Sequence, residues 1–186
     1  MVNPLESFSY PWYAYISSAA GPGEIHQGDV LEACPVISPP PDFEGQTEIK
    51  VTATRRDLIV MSQSCDLAVG QEKVQEVLLC QLWRRSQVAN IRPFNKPGAF
   101  SQVAKGQNYG FHLLPACTAA GFESELRIVD FGRVYSLPLS YVRRFMTGRQ
   151  HLRLLPPYRE HLSQAFARFF MRVGLPQPIP PEQLQG

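Results

Sequence analysis

Short apolar runs separated by turn residues fill most of the chain, and helical spacing appears only toward its end. The run Leu58-Ile59-Val60-Met61 is continuous rather than alternating, the pattern of a strand covered on both faces. It passes straight into Ser62-Gln63-Ser64-Cys65-Asp66, so polar side chains fall at the end of a rigid element. Val30 to Ile37, Glu48 to Thr54 and Val74 to Trp83 read as further strands. Ser38-Pro39-Pro40-Pro41 ends the first of them, because proline offers no ladder donor. Tyr109 to Pro115, Glu125 to Phe131 and Val134 to Leu137 read as three short strands. Pro138 opens a short helix over Leu139 to Met146. After Pro156-Pro157, the residues Leu162, Ala165, Phe166, Phe169 and Val173 share one face at 3.6-residue spacing. Arg159, Gln164, Arg168 and Arg172 lie off that face, and Gly174 is a natural stop.

This order predicts a mainly β fold with peripheral helices (α+β). The expected architecture is a small, strongly bent barrel with a C-terminal amphipathic helix packed outside it. Residues 1–23 read as an N-terminal arm that packs by its aromatics. Residues 24–174 read as a single domain carrying a loop-rich insertion at 84–109, and 175–186 as a flexible Pro/Gln-rich tail.

Composition narrows the class. Hydrophobic residues are 44% of the chain and charged residues 18%, which favours a packed core over disorder. No apolar run approaches the roughly 20 residues that span a bilayer, and Met1 to Tyr15 lacks a basic segment followed by an apolar core. A cytoplasmic protein is the expectation. Cys34, Cys65, Cys80 and Cys117 are widely spaced and read as free thiols. The net charge is only +2 but unevenly placed. Residues 127–172 carry nine arginines against Asp130 and Glu160, a fork-shaped cation suited to phosphate or carboxylate.

Five segments, in chain order, resemble one known family. Gln27-Gly28-Asp29-Val30 resembles its x-G-D-I/V strand start. Arg56-Asp57-Leu58-Ile59-Val60-Met61-Ser62 resembles its R-P-x-x-V-x-S strand, with Asp57 in place of the proline. Val77-Leu78-Leu79-Cys80 resembles its V-I-V-A strand. Ile128-Val129-Asp130 to Val142 resembles its V-D-L-x-x-L-x-x-V segment, and Arg153 to Phe170 its terminal helix. On these residues the chain resembles the MazF/PemK/Kid family of toxin-type proteins. The resemblance implies an SH3-like barrel, a homodimer, cleavage of single-stranded RNA without metal or cofactor, and an antitoxin-type protein partner. It sets Arg56 at the family's catalytic arginine and Trp83 at the place of its catalytic threonine.

RNA cleavage through the 2′-hydroxyl needs a base, a cation for the developing charge and an acid for the leaving group. Arg56, with Arg55 beside it, is the candidate cation, and Asp66 and His112 are the candidates for proton exchange. Arg56 would equally brace the strand by pairing Asp57 or Asp66. Ser62, Gln63, Ser64 and Cys65 are candidate ligand contacts. Trp83-Arg84-Arg85 joins an aromatic platform to cations, the composition of a single-strand binding surface. Cys65, Cys80, His112 and Cys117 are zinc ligand types, but none shows tight pair spacing, and no metal is assigned. The expected function is an RNA-binding or nucleic-acid-binding barrel, with endoribonuclease activity as its extension. The alternative is an inactive barrel serving as a protein-interaction subunit of a bacterial stress or defence system.

Overall fold

The computed structural model describes residues 11–17, 24–38, 51–118 and 122–171. Most of the N-terminal arm, the proline run after Ser38, the Glu48 end of one expected strand, and everything from Arg172 onward lie outside the described residues. The strands are β1 (Tyr13–Ile16), β2 (Val30–Ser38), β3 (Thr52–Val60), β4 (Glu76–Arg84), β5 (Phe111–Leu114), β6 (Arg127–Pro138) and β7 (His151–Leu154). The helices are α1 (Ser64–Leu67), α2 (Arg85–Val88), α3 (Ala99–Ala104), α4 (Leu139–Met146) and α5 (Tyr158–Phe170). Five strands make one antiparallel sheet in the order β2-β3-β4-β6-β5, and β1 pairs with β7 in a second. The fold is mixed α+β and mainly strand. Among the described residues the five-stranded sheet ends at β2 and β5 and does not close on itself.

The apolar run in β3 does what a two-sided strand requires. Leu58 and Val60 face a core built with Ile25, Leu31, Leu79 and the α4 residues Leu139 and Val142. Ile59 and Met61 face the opposite core, built with Val30, Leu82, Val129, Leu154 and Leu162. Each fully buried side chain of this kind contributes about 2 kcal/mol relative to exposure. A third, smaller cluster of Val88, Phe94, Ala99, Val103 and Ile128 anchors the expected loop-rich insertion, which carries the short helices α2 and α3.

Two strand boundaries differ from the sequence reading. Residues 52–60 form one strand, so the expected break before Arg55 is absent. Residues 127–138 likewise form one 12-residue strand through Gly132. The register explains the apparent break there: Cys80 pairs with Val134 and Gln81 with Asp130, so an irregularity loops residues 131–133 out of the ladder while the strand continues. No strand is expected over β7 from the sequence, and Arg153, which the resemblance sets in the terminal helix, lies in β7 instead.

A polar staple joins β7 to the start of β2. Gly28 has φ +86°, and a Cβ there would stand 2.9 Å from Leu154 Cβ, so glycine permits the close approach. Leu154 N donates to Gly28 O at 2.9 Å. The next residue, Asp29, is fully buried. Arg153 Nη2 donates to Asp29 Oδ2 at 3.0 Å and Arg153 Nε to Oδ1 at 2.5 Å. His26 N adds a bond at 2.8 Å. Burial acts to raise the Asp29 carboxyl, but His151 and Arg153 hold it below the usual carboxylate value.

Candidate functional site

The polar end of the central strand is occupied by structural work. Ser62 Oγ accepts the Leu78 amide at 2.8 Å, and Ser64 Oγ accepts the Gln27 amide at 3.1 Å. Asp66 lies 3.5 Å from Lys73 Nζ rather than against an arginine. Cys65 is exposed, with its thiol 3.5 Å from Asp66 Oδ1 and 3.8 Å from Gln63 Oε1. Arg56 pairs across the ladder with Cys34, in the middle of β3. Six extended residues separate it from Ser62, about 20 Å along the chain. The expected partnership of Arg56 with Asp57 or Asp66 is not formed: Asp57 Oδ1 instead accepts the amide of Ala33, which sits at φ 51° in the β2 bulge. Arg55 Nη1 reaches the Ala33 carbonyl at 3.4 Å.

The Trp83-Arg84-Arg85 segment is also engaged. Trp83 Nε1 donates to Asp130 Oδ2 at 3.2 Å, and the Arg133 guanidinium lies 5.3 Å from the indole centroid. Arg84 stands 3.7 Å from Asp57, and Arg85 lies 5.1 Å from the Phe100 ring centroid. These contacts spread the three side chains over different neighbours.

His112 is placed differently. It faces a groove of about 490 Å³ walled by α3, β5 and α5 and by Trp12. His161, Gln164 and Arg168 project into the same groove from α5. Their positions follow an i, i+3, i+7 spacing, which sets them on one helical face. Trp12 is held by Tyr158, with ring centroids 3.5 Å apart and 11° between planes. Burial pushes the His112 imidazole down to about 4, and His161 nearby acts in the same direction. His112 is therefore neutral at pH 7 and able to accept a proton. Sequence reasoning found His112 but missed His161 and Trp12, and it treated Gln164 and Arg168 only as residues off the apolar face. The α5 spacing was the signal available for them.

The thiols divide by burial. Cys80 is buried, and burial with the Asp130 charge drives its thiol up to about 12, which removes it as a nucleophile. Among the described residues no three His, Cys, Asp or Glu side chains are grouped to hold a metal ion. No helix among them is long and apolar enough to cross a membrane. The arrangement suits binding of an anion that carries a flat ring, with a neutral imidazole beside it. In comparison with known proteins, the chain matches no family model and no curated protein, so its reading rests on this geometry.

Proposed function

We propose that the protein binds single-stranded RNA in the groove of Trp12, His112, His161, Gln164 and Arg168. The observation that carries this reading is the charge of the groove. Its walls hold the cation Arg168 beside the neutral His112 and the imidazole of His161, and no acidic side chain is among its described lining residues. Arg168 suits a phosphate, Gln164 a base edge, and Trp12 offers a flat surface against which a base stacks. The volume falls in the range of about 300–1,000 Å³ usual for ligand sites. We read the sheet as an opened SH3-like barrel, a reading supported by the bulge in β2 and the irregularity in β6.

One observation favours a further step, metal-independent cleavage: His112 is held unprotonated in the same groove as His161. The imidazole of His112 would take the 2′-hydroxyl proton as O2′ attacks phosphorus. The P–O5′ bond then breaks, and His161 on the same groove would supply the proton that the leaving oxygen takes.

Fluorescence anisotropy with mixed-sequence RNA in excess chelator tests the reading. Wild-type binding should weaken as salt rises, and the double variant His161→Ala/Arg168→Ala should bind at least about tenfold less tightly. Gel analysis of the same samples reports cleavage. Wild type that fails to bind RNA, or a double variant that binds as well as wild type, would overturn the proposal and favour the protein-interaction alternative.

A further inference from the structure

A second set of residues stands apart from that groove and shares none of its lining. Arg127 and His151 are buried, at 4% and 8% exposure. Nε and Nη1 of Arg127 have no hydrogen-bond partner, whereas Nε2 of His151 lies 3.5 Å from Asp29 Oδ2. Buried polar groups are nearly always satisfied, so each such nitrogen calls for an acceptor. Arg127 lines a cavity of about 210 Å³, and His151 lines one of about 460 Å³. The two cavities share Glu32 and Phe122 as a common wall.

The chemistry of that wall indicates what would enter. Arg127 Nη2 already holds the carboxylate of Glu32 at 2.5 Å. The Glu32 side chain is half exposed, 50% against 5% for Arg127, and it has no other ion pair or hydrogen bond among the described residues. A carboxylate from the chain thus rests on a buried guanidinium and is free to swing into water. Flat apolar surface comes from Phe122, which packs on Tyr15 with centroids 4.7 Å apart, and from Phe145. Arg149 lies 4.3 Å from the Phe145 ring centroid and adds positive charge at the second cavity.

We propose that these joined cavities bind a small aromatic oxyanion. Its carboxylate or phosphate replaces Glu32 on Arg127, and its ring lies against Phe122 and Phe145. Glu32 acts as a resident competitor that keeps the guanidinium satisfied until the ligand arrives.

Isothermal titration of the full chain tests this with three probes: adenosine monophosphate, indole-3-carboxylate and inorganic phosphate. One of the two aromatic probes should bind, which distinguishes a phosphate from a carboxylate ligand, and inorganic phosphate should bind at least about tenfold more weakly for lack of a ring. Glu32→Gln removes the competitor's charge and should tighten the aromatic probe about tenfold, whereas Arg127→Gln should weaken it by at least as much. Should Arg127→Gln fail to fold, the Glu32→Gln result still decides. The proposal fails if neither aromatic probe binds wild type or Glu32→Gln, if Glu32→Gln weakens binding, or if a folded Arg127→Gln protein binds as wild type does.

Discussion

His112→Phe offers a measurement that reads the groove directly. The imidazole stacks near Phe131, with centroids 6.4 Å apart and planes 25° from parallel, so phenylalanine keeps the packing and removes the titration. Burial lowers the folded imidazole from 6.5 to about 4. Between those values the unfolded chain takes up a proton that the folded chain refuses. The stability tied to His112 is therefore complete above about pH 6.5 and is lost as pH falls through about 4. Relative to wild type, His112→Phe should gain only about 0.2 kcal/mol from this source at pH 7 but about 2.5 kcal/mol at pH 4.5. Urea unfolding of both proteins across that interval measures the difference, and effects of the other acids largely cancel in it. With a slope of about 2 kcal/mol per molar, the pH 4.5 midpoints should separate by about 1 M. A difference that stays flat within about 0.5 kcal/mol would mean that water solvates His112 freely, and the dry groove wall would have to be abandoned.

Three further outcomes follow from the packing. Asp29→Asn leaves the Arg153 guanidinium without its buried counter-charge and should cost about 3–5 kcal/mol, a fall of about 10 °C in Tm by calorimetry. Gly28→Ala combines left-handed backbone strain with a 2.9 Å approach to Leu154 Cβ, and chemical unfolding should show a loss of about 2–3 kcal/mol. The Arg56 side chain makes no hydrogen bond or ion pair among the described residues, so Arg56→Ala should shift stability by less than about 0.5 kcal/mol. Its RNA affinity, by the same anisotropy assay, should stay within about threefold, since a half-buried charge that is not among the groove's lining residues acts on the ligand only at long range.

Local signals carried much of the fold. Pro138 and the apolar pattern after it set α4 at Leu139–Met146, as the structure has it. The unbroken apolar run before Ser62 marked a strand buried on both sides. What escaped depends on partners far away in the chain. β7 is four residues long and half polar, and it becomes a strand because β1 and Asp29 meet it. The apolar pattern divides Glu125 to Phe131 from Val134 to Leu137, yet the looped-out segment between them lets β6 run through Gly132. The site shows the same division. His112 was legible by type and position, while its meeting with His161 on α5 is a tertiary event. The burial of Arg127 beside Glu32 joins residues 95 positions apart, and composition counts that arginine merely as one of nine.

The register of Tyr13 against Leu154 also has a consequence for biosynthesis. Once made, β1 cannot find its mate until about 140 more residues have been added, about 7–28 s at ordinary elongation rates. Throughout that wait Trp12, Tyr13 and Tyr15 ride on the nascent polypeptide with their backbone edge open. The ribosome's pace, rather than the intrinsic speed of collapse, sets the earliest moment at which this pair of strands is sealed, and the unpaired β1 segment is where a holding chaperone would act.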